Sequence, residues 1–336
     1  MKKLISQNEK IYVAGSNGMV GSAICKSLTQ RGFDLAKKNL LVTSKKELDL
    51  TKGIEVDIWF KKNMPDIVIF AAAKVGGILA NNNNPVEFLL ENIKIQNNLI
   101  ESSWKYGVKK FLFLGSSCIY PKFCKQPIKE EYLLSDYLES TNQWYAIAKI
   151  SGIKLCEAFR KQYNFNSICL MPTNLYGPRD NYNLNDGHVM AALIRKFYDA
   201  KINQSNEVIC WGTGKPIREF LYVEDFAEAC LFALENWEIN SLSAPKDSNG
   251  MPLEWLNIGS DYEISIYDLS YKIAKIIGYK GKIIWDNSKP DGTPRKKLDN
   301  KHINNLGWQA KTDIDYGIRK TLESFKYELE SKTIRI

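Results

Sequence analysis

Short apolar segments alternate along the first half of the chain with longer segments in which apolar residues recur every three or four positions. The short segments predict buried β-strands at 11–14, 39–42, 67–71, 110–114 and 167–171. The longer, amphipathic segments predict helices at 19–30, 54–61, 85–106 and 145–163. This alternation predicts an α/β fold with a doubly wound parallel sheet and right-handed crossovers.

The alternation weakens after about residue 172, where loops rich in Pro, Gly and Asn separate shorter elements. We expect residues 1–172 to form the first domain, with a later segment at about 208–232 returning to it. Residues 173–336 then form, for the most part, a smaller C-terminal α/β domain that binds substrate. Ligands of such sheets bind at the carboxyl ends of the strands, where Ala73, Ser116 and Pro172 come together with the first glycine turn.

That first turn, between the strand at 11–14 and the helix at 19–30, carries three glycines. Gly15 permits the tight turn, Gly18 lets the backbone approach a pyrophosphate, and Gly21 lets the helix pack closely on the strand. The free N–H groups of the first helical turn would face the phosphates. Together these features predict a dinucleotide site. Its contacts are expected from Gly15, Asn17, Gly18, Met19 and Val20.

The end of the second strand bears on which dinucleotide binds. An acidic residue there usually holds the ribose 2′-hydroxyl of NAD, but this chain has hydroxyls followed by Lys45 and Lys46. Positive charge favours the 2′-phosphate of NADP(H), although these lysines would also suit a solvated turn, and NAD(H) stays a weaker alternative. Asp49, followed by Leu50, is a candidate acceptor for the adenine amine, or a cap for the helix that follows.

Tyr145 and Lys149 share one face of a predicted helix, four residues apart, and Ser116 ends a predicted strand. A lysine ammonium near the phenol would lower the pKa of Tyr145 from its ordinary value of about 10. The phenol would then exchange a proton with a sugar or alcohol oxygen while a nicotinamide cofactor transfers hydride. The spacing alone is common on surface helices, so the glycine turn carries much of this hypothesis.

Composition narrows the class of protein without identifying it. The chain has 336 residues, 44% of them hydrophobic, and 46 Lys+Arg against 38 Asp+Glu give a net charge of +8. This charge suits an anionic substrate or simply solvated lysines, and no motif for nucleic acid is present. Seven cysteines without regular spacing predict neither a disulfide framework nor a metal site, and they suit a reducing cytoplasm. We expect no signal peptide and no membrane span.

Five longer motifs, spread from about Lys10 to Gly307, show a resemblance to a known family. They are Ala72-Ala73-Lys74-Val75-Gly76-Gly77-Ile78, Phe113-Leu114-Gly115-Ser116-Ser117-Cys118-Ile119-Tyr120-Pro121-Lys122, Tyr145-Ala146-Ile147-Ala148-Lys149, Met171-Pro172-Thr173-Asn174-Leu175-Tyr176-Gly177-Pro178 and Lys289-Pro290-Asp291-Gly292-Thr293-Pro294-Arg295-Lys296. The chain resembles the extended short-chain dehydrogenases/reductases, which have a Rossmann-type domain. Within them it resembles the GDP-L-fucose synthase family, whose members are 3,5-epimerase/4-reductases of a GDP-linked 4-keto-6-deoxy sugar.

This resemblance implies that Ser116, Tyr145 and Lys149 reduce the C4 ketone, while Cys118 is the base and His188 the acid that invert C3 and C5. From its sequence alone Cys118 could equally be a buried small apolar residue, and His188 a plain surface residue of a loop. A thiol becomes a useful base only if nearby positive charge or a helix dipole lowers its pKa. His188 or the nicotinamide ring would be one source of that charge.

The same resemblance implies the other ligand contacts. Further cofactor contacts are Ala72, Ala73, Lys74, Pro172, Asn174, Leu175 and His188, besides Tyr145 and Lys149. Substrate contacts are Ser117, Asn174, Lys196, Trp211, Arg218 and Lys296, the last two at the diphosphate. Two alternatives remain: Arg218 could instead pair with Glu219 or Asp225, and Asn174 could simply form a turn. The family often has a basic residue between the first two glycines, where this chain has Ser16 and Asn17, so the NADP preference depends on Lys45.

Three functions are consistent with these residues. The first is the NADPH-dependent epimerase/reductase that makes GDP-L-fucose. The second is a GDP-4-keto-6-deoxy-heptose C4 reductase, with or without epimerisation. The third is a redox-inactive NADP-binding protein, which the intact Ser116, Tyr145 and Lys149 disfavour. The resemblance also implies a homodimer formed through the helices at 85–106 and 145–163.

Overall fold

A computed structural model describes residues 5–184, 186–289 and 291–336. The first four residues of the expected domain 1–172, Asn185 of the loop before His188, and Pro290 of the last motif lie outside these ranges. The strands are β1 Ile11–Ala14, β2 Leu40–Val42, β3 Ile67–Phe70, β4 Lys110–Leu114, β5 Ser167–Pro172, β6 Asn174–Tyr176, β7 Glu207–Trp211, β8 Ile217–Tyr222, β9 Trp255–Ile258, β10 Glu263–Ser265, β11 Lys282–Asp286 and β12 Arg295–Lys296. The helices are α1 Met19–Gln30, α2 Gly53–Asn63, α3 Ile78–Asn83, α4 Pro85–Lys105, α5 Gln143–Tyr163, α6 Val189–Ile202, α7 Val223–Asn236, α8 Ile266–Ile277, α9 Lys301–Leu306 and α10 Ile314–Glu330.

The large sheet has the order β2-β1-β3-β4-β5-β9, and every neighbouring pair in it is parallel. The prediction of a doubly wound parallel sheet is therefore confirmed. Every predicted strand and helix is present, with ends within two residues of those expected. The strand order reverses between β1 and β3, and a crevice at the carboxyl ends of the strands follows from that reversal.

Two apolar layers cover the large sheet, because its central strands are buried on both faces. One layer includes Ile24, Leu28 and the apolar face of α7, and the other includes Phe60, Leu99 and Ile153. α4 and α5 pack side by side on the second face. Tyr145 and Lys149 thereby lie beside the end of β4.

The smaller region has its own apolar core, formed by α6, α8, α10 and the strands between them. Its sheets are β10-β8-β12, with β6 paired to β8, and the two-stranded β11-β7. The returning segment expected at about 208–232 needs correction: α7 packs on α1, but β7 and most of β8 belong to the smaller region's sheets. β9 also returns to the large sheet, which the sequence analysis missed because its apolar run is short.

Candidate active site

The glycine turn has the shape that a pyrophosphate requires. Gly15 has φ +87°, and a Cβ there would lie 2.7 Å from the backbone of Ala72, two residues after β3. A Cβ on Gly21 would collide with the carbonyl of Gly15, whereas one on Gly18 would lie at an ordinary 3.4 Å from it. Among the described residues no side chain caps the start of α1, so its first N–H groups stay available to a phosphate. The turn therefore fits a dinucleotide, as predicted.

The residues after β2 are arranged around hydroxyls and an anchored carboxylate. Tyr12 and Thr43 share a hydrogen bond of 2.8 Å between their hydroxyls, and Lys45 is exposed beyond them. Oδ1 of Asp49 accepts hydrogen bonds from the backbone N and the hydroxyl of Thr51, at 3.0 and 2.8 Å. These bonds lower the pKa of the Asp49 carboxyl. These bonds form a local turn before α2, and no side chain caps that helix among the described residues, so the capping alternative for Asp49 is wrong and its contact with adenine stays a prediction.

The loop after β3 is held by a buried amide that the sequence analysis missed. Oδ1 of Asn92, on α4, accepts from the backbone N of Lys74 at 2.9 Å, and its Nδ2 donates to the Lys74 carbonyl at 3.0 Å. The Lys74 ammonium forms an ion pair with Glu91 at 3.1 Å, which restricts its reach toward a ligand. The sequence did carry a signal for this contact, because Asn92 is a polar residue on the apolar stripe of α4, between Phe88 and Gln96.

β4 ends in the turn that presents Ser116 and Cys118. Oγ of Ser116 accepts a weak hydrogen bond of 3.3 Å from the backbone N of Cys118, which starts a 3₁₀ turn at Ser117–Ile119. Cys118 is buried, and burial raises the pKa of its thiol, while Lys296 and the Ser116 hydroxyl oppose that rise. Both side chains thus start from one backbone turn.

Lys149 is buried one helical turn from Tyr145, and its ammonium donates to the Leu114 carbonyl at 2.8 Å. It also lies 4.9 Å from the centre of the Phe113 ring. Burial lowers the pKa of Lys149 to about 8, because desolvation disfavours the charged form. Burial raises the pKa of Tyr145 although its ring is partly open to solvent. The expectation that the pKa of Tyr145 is lowered is therefore wrong for this structure, because desolvation and then the nearby Cys118 thiol raise it.

His188 stands at the start of α6, and the structure brings its loop to the same crevice. The carbonyl of Asp186 accepts from the N–H of Gly77 at 2.7 Å, which joins this loop to the one after β3. The ring is exposed, yet the surrounding protein and then the charge of Lys296 lower the pKa of His188. The neutral imidazole of His188 is therefore favoured without ligands.

Arg218 and Lys296 are direct neighbours in the register of β8 and β12. Burial lowers the pKa of Arg218 to about 10. The alternative pairing of Arg218 with Glu219 or Asp225 is absent among the described ion pairs; the Glu219 carboxylate instead accepts from the backbone N of Leu298 at 3.0 Å. Arg218 and Lys296 therefore lie side by side, and neither forms an ion pair with a carboxylate among the described residues, an arrangement that suits a diphosphate.

Lys196 and Trp211 also come together. The Lys196 ammonium lies 4.8 Å from the centre of the Trp211 ring and donates to the carbonyl of Ile209 at 3.0 Å. Lys289 approaches the same ring at 5.6 Å. Asn174 Nδ2 donates to the Glu219 carbonyl at 2.8 Å, so it holds β6 against β8 rather than forming a turn. Lys196, Lys289 and Trp211 therefore form a basic, aromatic surface in the smaller region.

A small cleft beside Cys118 contains residues that the sequence analysis did not single out. Its lining includes Ser117, Cys118, Glu139, Asn142, Thr293 and Lys296. Three separate segments supply them, so no local pattern could have linked them. Among the described residues, no cluster of three or more His, Cys, Asp or Glu could hold a metal ion, and no helix is long and apolar enough to cross a bilayer.

The parallel sheet, the glycine turn and the Ser116, Tyr145 and Lys149 set define a dinucleotide-dependent enzyme of the extended short-chain dehydrogenase/reductase class. A model of the NAD dependent epimerase/dehydratase family matches residues 11–242. GDP-L-fucose synthase 1 of Arabidopsis thaliana is 47% identical over 96% of this chain and 95% of its own length. GDP-L-fucose synthase of Sinorhizobium fredii is 48% identical over 97% and 98%. The chain therefore belongs to the GDP-L-fucose synthase family.

Two solved structures agree with this assignment. A GDP-L-fucose synthetase from Naegleria fowleri bound to NADP has a TM-score of 0.85 and 27% identity, covering 99% of this chain and 98% of its own. A GDP-mannoheptose C4 reductase from Campylobacter jejuni with NADP bound has a TM-score of 0.83 and 33% identity, covering 96% and 99%.

Proposed function

We propose that the chain converts GDP-4-keto-6-deoxy-mannose to GDP-L-fucose, by inverting C3 and C5 and then reducing C4 with NADPH. The observation that carries this proposal is the turn after β4, where a buried thiol and a serine hydroxyl two residues apart lie at the sheet edge that also bears Tyr145 and Lys149. Reduction needs the Ser, Tyr and Lys; a thiol beside them adds a base for the carbons next to the ketone.

The dinucleotide is NADP(H), and the residues at the sheet edge fit it. The turn at Gly15 and Gly18 and the open start of α1 would hold the pyrophosphate. Exposed Lys45 would reach the 2′-phosphate. When bound, the nicotinamide supplies the hydride for C4. NAD(H) would bind more weakly, because it has a 2′-hydroxyl in place of the 2′-phosphate and so leaves Lys45 without a phosphate partner.

Tyr145 gives its phenolic proton to the C4 oxygen during reduction. Its raised pKa keeps the phenol protonated at pH 7, as a proton donor must be. Lys149 stabilises the phenolate that remains, since its ammonium is held one turn away by the Leu114 carbonyl. Ser116 positions the C4 oxygen by a hydrogen bond from the same turn.

Cys118 and His188 invert the two neighbouring centres. A proton on C3 or C5 is acidic because the C4 carbonyl accepts the electron pair as an enolate. The Cys118 thiolate removes that proton and becomes a thiol, and protonated His188 returns a proton to the opposite face. The free site disfavours both reactive forms, since burial raises the thiol pKa and lowers the imidazole pKa. Both reactive forms therefore need nearby charges that favour them.

The GDP end binds to the cations of the smaller region. Arg218 and Lys296 contact the diphosphate, and Lys196 and Trp211 lie toward the nucleotide. Asn174 and Ser117 orient the sugar. Glu139, which lines the cleft beside Cys118, is held 2.8 Å from Lys122.

The test is NADPH oxidation with GDP-4-keto-6-deoxy-mannose in D₂O, followed by mass and NMR analysis of the sugar. We expect turnover with deuterium at C3 and C5. Turnover without deuterium would restrict the activity to reduction. NADPH binding without oxidation of any 4-keto sugar nucleotide would favour the redox-inactive alternative.

A second candidate is C4 reduction of a GDP-4-keto-6-deoxy-heptose. It is favoured because the chain is 33% identical to the Campylobacter jejuni C4 reductase and 27% identical to the Naegleria fowleri protein. The heptose has one carbon more than the hexose, so the two substrates differ only in the pocket shape that they require. Comparing kcat/KM for the hexose and heptose substrates separates the two, and a higher value for the heptose would replace the first proposal.

We further propose a cytoplasmic homodimer. The outer faces of α4 and α5 expose Leu90, Trp104, Ile147 and Tyr163, and a symmetric partner would cover them. Seven free cysteines suit a reducing compartment. Light scattering should give twice the 38.4 kDa chain mass, and a monomer would reject the dimer. Fractionation of cells should place the protein with the cytosol.

A further inference from the structure

Lys296 lies beside Cys118 as well as beside Arg218. Both Lys296 and Cys118 line the small cleft that opens next to the 3₁₀ turn. The two residues come from distant segments, β12 and the turn after β4. Their proximity therefore depends on what holds those segments together.

A buried hydrogen-bond network fixes that arrangement. The hydroxyl of Tyr120, two residues after Cys118, donates to Oδ1 of Asn257 at 2.6 Å, and Asn257 Nδ2 donates to the carbonyl of Ile128 at 2.9 Å. The N–H of Ile128 in turn donates to the carbonyl of Lys297 at 2.7 Å. Asn257 is fully buried, so this chain of bonds has no competing water.

Lys296 has no carboxylate at ion-pair distance among the described residues. Glu139 lines the same cleft, but Lys122 neutralises it at 2.8 Å. The other charged or titratable groups coupled by charge to Cys118 or to Lys296 are Lys149, Tyr145, His188, Arg218 and Cys124. Of the cations acting on Cys118, Lys296 opposes the effect of burial most. The Lys149 ammonium already donates a hydrogen bond to the carbonyl of Leu114.

We propose that Lys296 is the cation that stabilises the thiolate of Cys118 when it forms in the cleft, in addition to its contact with the diphosphate. The role of that thiolate as the base rests on the proposed function. The thiol proton leaves to water in the cleft, and the electron pair stays on Sγ facing the ammonium. After each removal of a sugar proton the thiol is reset by the same loss to solvent, as two successive inversions require.

Alkylation of the substrate-free protein by iodoacetamide tests this role, because only the thiolate reacts. The rate at Cys118 is followed against pH, with peptide mass spectrometry separating it from the other six cysteines. Lys296→Met should move the midpoint of the profile upward by about one pH unit, a roughly tenfold slower reaction at pH 7.5. Lys296→Arg should restore it. An unchanged profile in Lys296→Met would overturn the proposal.

Arg218→Met is the matched control, because Arg218 pairs with Lys296 across the strands but is not among the groups that act on Cys118. It should weaken GDP binding and leave the alkylation midpoint in place; an equal upward shift would make the effect non-specific and reject Lys296 as the cation. If the sugar substrate is not turned over but the alkylation profile of Lys296→Met is shifted, the proposed function is rejected while the role of Lys296 beside Cys118 stands. Normal turnover with an unshifted profile would reject this role alone.

Discussion

Lys149 shows how single residues of the site are constrained by burial. Its ammonium is almost removed from water, and it is accommodated by the Leu114 carbonyl and the faces of Phe113 and Phe70. The same burial that lowers the pKa of Lys149 raises that of Tyr145. The neutral phenol is thus the resting form, which suits reduction of a ketone.

Tyr145→Phe should lower the rate of hydride transfer by roughly 10²-fold to 10⁴-fold, because the proton donor is removed. NADPH binding, measured by fluorescence titration, should change little. Tyr163→Phe on the exposed part of the same helix is the control and should keep full activity. Near-normal turnover of Tyr145→Phe would exclude Tyr145 from the chemistry.

Cys118→Ser should reduce deuterium incorporation at C3 and C5 by roughly 10²-fold or more, because a serine hydroxyl is a far weaker base than a thiolate. Reduction of a 4-ketone that already has the inverted configuration should be affected much less. Cys124→Ser, a partly buried thiol on the following loop, is the matched control. Equal loss of both activities in Cys118→Ser would indicate a positional role.

At the scale of elements, α4 supports the site although it contributes none of the proposed catalytic side chains. Asn92 holds the loop after β3, and Gln96 Nε2 donates to the carbonyl of Ala148 at 2.8 Å, directly before Lys149. The helix therefore positions both the cofactor loop and the catalytic helix. The turn between β1 and α1 is the other element on which the cofactor site depends.

Gly15→Ala should abolish NADPH binding and destabilise the fold, because the new methyl group would meet the Ala72 backbone at 2.7 Å in a left-handed conformation. Gly18→Ala has room for its methyl group within the free chain, so it should keep the stability while weakening the approach of the pyrophosphate. Thermal unfolding and cofactor titration separate the two effects. Equal stability loss in both variants would contradict this account.

Across the whole molecule, two buried carboxylates hold together segments that are distant in sequence. Glu219 is fully buried and accepts from the backbone N–H groups of Ser260, Asp261 and Leu298. Glu130 accepts from the N–H of Asn257 at 3.0 Å, and His302 lies 4.0 Å away. Burial raises the pKa of Glu130 to about 7. The protonation of Glu130 therefore makes the stability of the fold depend on pH.

Glu130→Gln should make stability less dependent on pH. Because the folded pKa of Glu130 lies above its unfolded value, its stabilising contribution is complete below about pH 4.5 and is lost as the pH rises through 7. The variant should therefore gain stability relative to the wild type between pH 5 and pH 8, by up to about 3 kcal/mol. Denaturant unfolding at both pH values measures this.

Glu131→Gln is the control for this experiment, since Glu131 is solvated and its pKa is lowered by a hydrogen bond with Ser248. It should not reproduce the gain at pH 8. Parallel pH dependence of Glu130→Gln and the wild type would show that the carboxyl of Glu130 titrates at its ordinary value in the folded protein.

Much of the large domain could be predicted from local pattern. Strands such as 11–14 and 110–114 are apolar runs buried on both faces, so their sequence alone identifies them. The glycine turn and the spacing of Tyr145 and Lys149 are equally local. The roles of Cys118, His188 and Arg218 could be predicted only from the resemblance to a family, because nothing in their immediate sequence distinguishes a reactive residue from an unreactive one.

By itself the sequence determined the order of the elements, the parallel sheet and the chemical groups at its carboxyl edge, because periodic burial is encoded residue by residue. Only the tertiary structure decided that Lys296 lies between Arg218 and Cys118, that α7 and β9 return to the large sheet, and that Tyr145 is held as a neutral phenol. These features depend on strand register and desolvation between distant segments, and no local pattern carries that information.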